Sequence, residues 1–423
     1  MYYHIGIYII FRGIKVSNQP ILSIVIPTKN RQRFCLSAIK SILEMSDKRI
    51  QVVIQDNSDD DSLKQNLPIG YPENRLKYRY YKGAISFVNN FNRAIEAADG
   101  EYICIIGDDD GINPEIIQAT LWAKANNIEC ITGSLSASYR WDNVGDRKKF
   151  YIKLPCSSLT LTKFTGNASL VDLELSLNSL MKNGGTNYME FNFPKLYHGI
   201  VSKKALQNLK KISGSYLKGL SPDIYASIAL ACTVNKFVVV DYPLTIPGVC
   251  AESASIIEGE RKENSKELST APHFYGRIEP YSWEENVPKV YCVQTIWADS
   301  AFAAIREFDR HDLISNFDDY MLSANILEAE PSVSQIIYDF LLHRYPNKNI
   351  KTLEKELKSI KRRKLFIKKL KVNYFKAKRA LKLEEFRIIS HLENMEKATQ
   401  ALQVYLNKSK VDLSSKLNSL IIN

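Results

Sequence analysis

The feature that most constrains the fold is an alternation of short apolar runs with amphipathic segments over the first third of the chain. Residues 21–26 are apolar and rich in β-branched side chains, and Pro27 and Thr28 end the run. Apolar residues then recur at three- and four-residue spacings over 33–45, which predicts a helix, and a second apolar run follows at 51–55. Strand, helix and strand in this order require a right-handed crossover, which makes the strands parallel neighbours.

The same alternation continues to residue 132. Residues 87–98 read as a helix that Gly100 stops, and 101–106 as a third strand; a further helix at 114–126 precedes a strand at 128–132. The sequence therefore predicts an α/β fold with a mostly parallel, twisted, doubly wound sheet flanked by helices. Ligands of such sheets bind beyond the carboxyl ends of the strands.

Three adjacent acids, Asp108, Asp109 and Asp110, follow the third predicted strand. Like charges held this close destabilise each other unless a cation or a proton intervenes. Carboxylate oxygens suit Mg²⁺ or Mn²⁺, which can link them to the oxygens of a diphosphate. The alternative is that these acids stabilise the N-terminus of the helix that starts near Pro114, although one acid would suffice for that. We favour the metal site.

Four segments carry a more specific pattern: Ser23-Ile-Val-Ile-Pro-Thr-Lys-Asn-Arg31, Val53-Ile-Gln-Asp-Asn-Ser58, residues 92–103, and Gly107-Asp-Asp-Asp-Gly-Ile-Asn-Pro114. In this order they resemble glycosyltransferase family 2, whose members have the GT-A fold. The Gly-Asp-Asp-Asp form looks most like the bacterial abequosyltransferase and rhamnosyltransferase branch, which builds surface polysaccharides. The resemblance covers residues 21–132 well and the next hundred loosely.

The resemblance implies an inverting, Mn²⁺- or Mg²⁺-dependent transfer from a nucleotide sugar, linked to UDP, dTDP or CDP. The acceptor would be a glycan or lipid-linked glycan of O-antigen or capsule synthesis. Pro27, Thr28 and Arg31 would line the nucleoside pocket, and Asp56 would accept a hydrogen bond from the base. An Asx-turn that closes its own loop is the alternative role for Asp56.

The acidic run departs from the family pattern at one position. Many relatives carry Asp-x-Asp-Asp, and counting back from the proline puts Gly107 at the first acid. Asp108 and Asp110 still frame an Asp-x-Asp pair and are the predicted metal ligands, and Asp108 and Asp109 are predicted to face the donor. Which two acids bind the metal stays open at this point.

A second departure lies on the helix predicted at 87–98. Asn92 matches an asparagine that many relatives use at the donor site, but Phe91 stands where those relatives have arginine. A phosphate contact is therefore missing or supplied by Lys82 or Arg93.

An inverting transfer needs a general base across the site from the metal. Asp223, in Gly219-Leu-Ser-Pro-Asp, begins a predicted helix and lies where relatives place their catalytic acid. The alternative role is stabilisation of that helix N-terminus beside Pro222. His273 is a candidate third metal ligand by resemblance, whereas His198 more simply fills a contact at a strand end. By the same resemblance, residues 248–255 could form a lid over the donor.

Four regions are predicted: an N-terminal extension (1–20), a nucleotide-sugar-binding half (21–135), an acceptor-binding half (136–275) and a helical region (276–423). Within the last, residues 348–382 contain 15 Lys and Arg against two acids, which exceeds the net charge of +11 of the whole chain. Apolar residues recur every seven positions from Leu353, so 349–385 read as a basic amphipathic helix. An anionic membrane surface is the favoured partner, homo-oligomerisation the second, and nucleic acid has no supporting motif.

No apolar run is long enough for a transmembrane helix, and the seven cysteines are scattered without a metal or redox spacing. We therefore expect a cytoplasmic protein that lies peripherally on the inner face of the membrane. The alternative function is a catalytically inactive nucleotide-binding scaffold whose helical tail recruits partners. A nucleotidyltransferase would show a glycine-rich phosphate loop after the first strand, which the residues after Pro27 do not.

Overall fold

The computed structural model describes residues 19–145, 147–149, 152–252, 272–274, 276–277, 280–380 and 386–420. The strands are β1 (Leu22–Thr28), β2 (Ile50–Asp56), β3 (Leu76–Tyr80), β4 (Tyr102–Ile105), β5 (Gly111–Ile112), β6 (Cys130–Gly133), β7 (Ala137–Arg140), β8 (Arg147–Lys149), β9 (Ile152–Leu154), β10 (Ser158–Thr162), β11 (Ala168–Leu170), β12 (Gly199–Ser202), β13 (Phe237–Val240), β14 (Thr245–Ile246), β15 (Gly248–Val249) and β16 (Phe386–Ile389).

The helices are α1 (Gln32–Leu43), α2 (Ser62–Gln65), α3 (Phe87–Glu96), α4 (Ile116–Ala125), α5 (Leu173–Lys182), α6 (Lys203–Ser213), α7 (Pro222–Ala231), α8 (Val293–Glu307), α9 (His311–Ile314), α10 (Asp319–Ala329), α11 (Ser334–Arg344), α12 (Ile350–Ala380), α13 (Met395–Lys408) and α14 (Leu413–Asn418). Short 3₁₀ turns occur at Tyr188–Glu190, Pro272–Phe274 and Pro331–Val333.

In the described part of the chain, eight strands form the central sheet in the order β11-β13-β6-β12-β4-β1-β2-β3. β1 pairs in parallel with both β2 and β4, and β2 with β3. β12 lies antiparallel between β4 and β6. The predicted α/β class, with a mostly parallel sheet flanked by helices and with helices in the C-terminal region, is confirmed.

The predicted strands of this sheet do not include β3 or β12. β3, Leu-Lys-Tyr-Arg-Tyr, is at the edge and only half buried, so it lacks the continuous apolar run that marked its neighbours. β12 reaches the middle of the sheet from far along the chain and runs against the direction of its neighbours. Long-range pairing of this kind leaves no local signal.

Side chains of the parallel strands alternate between two cores, as the two-residue period of a strand requires. Val25 of β1 and Ile105 of β4 enter the core that α3, α5, α6 and α7 cover. Ile24 and Ile26 enter the opposite core, under α1 and α4. Both faces of the sheet are therefore buried, as expected of parallel strands.

The C-terminal helices are part of these cores and not a separate unit. α8, α10, α11 and the start of α12 share the core of α7, whereas α13 and α14 pack against α1 and α4 on the other face. The region predicted to be helical (276–423) also contains a strand: β16 pairs antiparallel with β10. Its four residues, Phe-Arg-Ile-Ile, were too short to stand out beside the lysine-rich segment.

No helix in the described ranges is both long and apolar enough to cross a membrane. Several predicted features lie partly outside those ranges: residues 1–18 of the N-terminal extension, 253–255 of the suggested lid and 381–385 of the basic segment. The region boundaries drawn at 135 and 275 remain predictions.

Candidate active site

The site forms where the ends of β1, β2 and β4 meet. Thr28, the last residue of β1, pairs in register with Asp56, the last residue of β2. Val25 pairs with Ile105 at the end of β4, and the acidic run begins three residues later. Because β1 lies between the other two strands, the acidic run meets the segment after β1 directly.

Arg31 joins two acids of the run. Its Nη1 is 2.9 Å from Oδ1 of Asp108, and its Nη2 is 3.0 Å from Oδ2 of Asp109. The hydroxyl of Thr28 donates to Oδ2 of Asp108 at 2.6 Å. Burial raises the pKa of Asp108 to about 7; Arg31 opposes the rise, and the charges of Asp109 and Asp110 add to it. One arginine therefore does not balance the negative charge gathered here.

Asp110 has different surroundings. Its Oδ2 accepts from the amide of Gly107 at 2.6 Å and from the Tyr197 hydroxyl at 3.0 Å, and it is 3.2 Å from Nε2 of His198. Its Oδ1 accepts from the amide of Gly248 at 2.6 Å. Burial alone would raise the pKa of Asp110, but His198 and the two amides hold it below its ordinary value. Asp110 is thus an internal acceptor that ties three segments together.

Tyr197 and His198 are placed by a short pairing beside β4. The amide of His198 donates to the carbonyl of Ile105, and Tyr197 forms an isolated parallel β-bridge with Ile105. His198 has φ 64°, in the left-handed region that few non-glycine residues adopt. Its Nδ1 lies 3.0 Å from the Thr245 hydroxyl, so both ring nitrogens have partners. From the sequence, His198 was expected only to fill a contact at a strand end, and Tyr197 was not singled out; the signal for the pair was the motif Lys-Leu-Tyr-His-Gly at 195–199.

The side chains of Tyr197 and Asp110 leave no room for a Cβ at Gly107. A Cβ at this position would lie 2.5 Å from the Tyr197 hydroxyl and 2.9 Å from Oδ2 of Asp110. Real Cβ atoms do not approach so closely, so the acid that relatives carry here would displace the Tyr197–Asp110 hydrogen bond. The departure from Asp-x-Asp-Asp and the presence of Tyr197 are therefore one structural feature.

Asp223 reaches the site from the first turn of α7, which begins at Pro222 as predicted. Its loop is held from two sides: Asn92 exchanges two 2.9 Å hydrogen bonds with the backbone of Leu217, and Ser300 accepts from the amides of residues 220 and 221. The Asp223 charge acts on Tyr188 and Tyr197, and the charges of His198 and Asp110 act on Asp223. Asp223 therefore lies near Asp110 and His198.

Burial raises the pKa of Asp223 to about 6, with repulsion from Asp110 adding to the shift and His198 opposing it. No hydrogen bond to this carboxyl contributes in the described part of the chain. The site thus pairs a carboxylate held ionised with a second one whose proton affinity is increased. Two carboxyl groups with diverging pKa values are typical of acid–base chemistry.

The predicted donor contacts are only partly assembled. Asp56 is fully buried; it accepts from the amide of Ser58 at 2.8 Å, which is the Asx-turn, and from the Tyr78 hydroxyl at 2.9 Å. The side-chain amide of Asn92 forms hydrogen bonds with the loop that precedes Asp223, and these contacts position that loop. Arg93 stacks over Tyr81, 3.9 Å from the ring centroid. The base-binding role of Asp56 and the nucleoside pocket at Pro27 remain predictions.

His273, the predicted third metal ligand, has contacts with Arg277 and Tyr291. It lies in the turn Pro272–Phe274, where its carbonyl accepts from Arg277 and its ring faces Tyr291 at 6.0 Å. Burial and the charge of Arg277 lower its pKa. The histidine that contacts Asp110 is His198.

The acids fit a divalent cation that is partly held by substrate, but not a preformed protein cage. Among the described residues, no three His, Cys, Asp or Glu side chains gather into such a cage, so Asp108, Asp110 and His273 are not assembled as predicted. The reason is that Asp110 has four donors on its two oxygens. Mg²⁺ commonly uses one or two carboxylates plus phosphate oxygens and water. Asp108 and Asp109 would supply the two carboxylates. The buried Oδ1 of Asp108 forms an ion pair with Arg31 but accepts no hydrogen bond.

Known proteins resemble this chain mainly in its first third. A Campylobacter jejuni GalNAc(5)-diNAcBac-PP-undecaprenol beta-1,3-glucosyltransferase is 36% identical over 113 residues, which are 25% of this chain and 35% of that protein. An uncharacterized glycosyltransferase of Rickettsia conorii is 30% identical over 114 residues, 27% of this chain and 19% of that protein. The matched stretch thus spans about a third of the first relative and about a fifth of the second.

A solved structure, S. aureus TarS 1–349 in complex with UDP-GlcNAc, aligns over 77% of this chain and 72% of its own, with 16% identity and a TM-score of 0.39. The family model described as Glycosyl transferase family 2 matches residues 23–163, which include β1, the acidic run and Arg31. The match to this family thus covers about a third of the chain.

Proposed function

We propose that this protein is an inverting glycosyltransferase (EC 2.4) that moves a sugar from a nucleotide donor to a glycan or lipid-linked glycan. The observation that carries the proposal is the placement of Asp223, with a raised pKa, opposite an acidic run that a second set of elements holds in place. The family match over 23–163 supports the reaction class. The name of the Campylobacter relative specifies an undecaprenol-linked acceptor, which supports the acceptor class proposed here.

In this mechanism Asp223 accepts the proton of the acceptor hydroxyl. The freed oxygen attacks the anomeric carbon while the bond from that carbon to the phosphate oxygen breaks, so the configuration inverts and the nucleoside diphosphate leaves. A base with a pKa near the working pH suits the task, since it is ionised yet still basic enough to take the proton. Asp110 holds Tyr197, His198 and the segment at Gly248 in register around the site.

For the cofactor we propose Mn²⁺ or Mg²⁺ on Asp108 and Asp109, in place of the Asp108 and Asp110 pair expected from the sequence. When bound, the ion would neutralise charge that develops on the leaving diphosphate. Arg31 lies between the same two acids and is well placed to pair with phosphate oxygens. Pro27, Thr28 and Asp56 are the proposed nucleoside contacts, and the nucleotide is proposed to be UDP, dTDP or CDP.

Within this proposal the protein acts in bacterial surface-polysaccharide synthesis, in the O-antigen or capsule class. It would work at the cytoplasmic face of the membrane, because lipid-linked acceptors are held there. Donor choice depends on loops between residues 134 and 219.

The test is release of nucleoside diphosphate from a panel of nucleotide sugars, with Mn²⁺ and with EDTA. Wild-type protein should turn over at least one donor in the presence of Mn²⁺ and none in the presence of EDTA. Asp223→Asn should lower the rate by about 10²- to 10⁴-fold, the usual contribution of a general base, while UDP binding is unchanged. The matched control is Asp172→Asn, which also removes a charge at a helix start but keeps the cap of α5.

Wild-type turnover in Asp223→Asn would remove Asp223 as the base. UDP binding without turnover of any donor would instead favour the nucleotide-binding scaffold.

A further inference from the structure

Helix α12 has two halves with different surroundings. In the first, Leu353 and Leu357 are fully or almost fully buried and Ile360 packs against the same core, beside α10 and α11. The last docking contacts are those of Lys364 with Asn325 and Glu328 of α10. The second half, residues 361–374, is otherwise almost wholly exposed.

This second half, which we call the basic arm (residues 361–374), combines charge with exposed apolar side chains. It contains seven Lys and Arg and no acid. Its exposed large apolar side chains are Leu365, Phe366, Ile367, Leu370 and Tyr374, each between 46% and 63% exposed. A helix that bound its partner by charge alone would not need these apolar side chains. A helix face that only meets water would not be expected to carry them together.

The apolar residues are ordered around the helix. At about 100° per residue, Phe366, Ile367, Leu370 and Tyr374 fall on one stripe roughly 100° wide. Arg362 and Lys369 border the stripe on one side and Lys371 on the other. An apolar stripe bordered by cations matches a helix that lies in a bilayer interface, with rings in the acyl boundary and cations at the phosphates.

We propose that the basic arm docks on an anionic lipid surface. Such a surface satisfies both properties at once, because it takes up the apolar stripe and attracts the cations of the arm other than Lys364, which pairs with Glu328. A second copy of the arm would cover the stripe but would bring two strongly cationic helices together without acids to offset them. Nucleic acid would match the cations but would leave the stripe exposed to water.

The arm lies between two segments that pack on the rest of the protein. The first half of α12 packs on α10, α10 packs on α8, and α8 packs on α7, which carries Asp223. After residues 381–385, which lie outside the described part, the chain returns in β16 to pair with β10. Docking of the arm would therefore hold the catalytic domain at a set position over the bilayer.

Substitution is a better test than deletion of residues 349–423. A deletion would remove Leu353, Met395 and Leu402, which are fully buried in the two cores. The full-length protein is instead mixed with vesicles of phosphatidylcholine, with and without phosphatidylglycerol, and sedimented. The charge variant is K368Q/K369Q/K371Q and the apolar variant is F366Q/L370Q/Y374Q. The matched control, K40Q/K64Q/K163Q, removes the same charge from exposed lysines elsewhere.

Wild-type protein and the control should sediment with phosphatidylglycerol vesicles and not with phosphatidylcholine alone. The charge variant should partition at least about tenfold more weakly, since each cation near an anionic surface adds attraction, and raised salt should weaken the wild type likewise. The apolar variant should lose binding to a similar extent. Circular dichroism and donor turnover in solution check that the variants are folded, and neither readout involves lipid.

Equal vesicle binding by wild type and both variants would overturn the proposal, as would failure of the wild type to bind. Sedimentation velocity without lipid tests the alternative that a second copy of the chain covers the stripe. The membrane proposal is also overturned if the wild type is a dimer, the apolar variant is a monomer, and both bind vesicles equally. Because binding is measured without donor or acceptor, its outcome is independent of whether the chain transfers a sugar.

Discussion

The two sides of the site shift the pKa of a carboxyl group in opposite directions. At the strand ends, Asp110 receives donors from Gly107, Gly248 and Tyr197 and lies beside His198, and its pKa is lowered despite burial. At the start of α7, Asp223 is half-buried without such donors, and its pKa is raised to about 6. Desolvation acts on both carboxyl groups, so the difference lies in the hydrogen bonds. A carboxylate that organises the fold is surrounded by donors, and one that takes a proton is not.

The largest expected effect concerns Asp110 and stability. Asp110→Ala would leave the Tyr197 hydroxyl, His198 and two amides without their acceptor, so the free energy of unfolding should fall by about 3–5 kcal/mol. Urea denaturation at neutral pH measures it. Asp110→Asn, which keeps one acceptor oxygen, should lose less. A loss below about 1 kcal/mol for the alanine variant, the scale of an exposed pair, would contradict the structural role.

A smaller effect of opposite sign is expected for Asp223. Its folded pKa lies above its ordinary value of 3.8, so ionised Asp223 costs stability above about pH 6. Asp223→Asn should therefore raise the free energy of unfolding at pH 8 by about 1–3 kcal/mol, although it abolishes turnover. The gain should shrink as the pH falls through 6 and disappear below about pH 4. Destabilisation at pH 8 would show that the charge is stabilised in the fold.

The smallest effect is in the pH dependence of turnover. If Asp223 is the base, kcat should fall about tenfold per pH unit below about 6 and level off above it. Saturating Mn²⁺ is needed, because a bound cation keeps Asp108 ionised, whose pKa is otherwise about 7. Asp110 should add no step in this range, since its pKa is lowered. A flat profile from about pH 5 to 8 would argue against Asp223.

Much of the nucleotide-binding half could be predicted from local sequence. β1, β2 and β4, with the helices between them, begin and end within a few residues of the expected positions. Their apolar runs and helical spacings are local signals, and the parallel order follows from the handedness of the crossover. Asp223 at the start of α7 was found in the same way, through Pro222 and the preceding glycine loop.

The crowding around Asp110 could not be predicted in this way. Tyr197 and His198 reach the site because residues 196–198 run beside β4, and Gly248 because β15 returns to the same place. Those contacts join segments about ninety to a hundred and forty residues apart, and no spacing rule connects them. The assignment of His273 as a third metal ligand rested on resemblance, and it stays a prediction.

The sequence by itself determined the class of chemistry: an acidic run after a buried strand, an acid at a helix start and a basic amphipathic segment are all local patterns. Tertiary structure decided which acid does what. Asp110 became an internal acceptor and Asp223 an acid with raised proton affinity because hydrogen-bond donors from distant segments reach one and not the other. It also divided α12 into a docked half and an exposed arm, since burial depends on what packs against a helix as well as on its own periodicity.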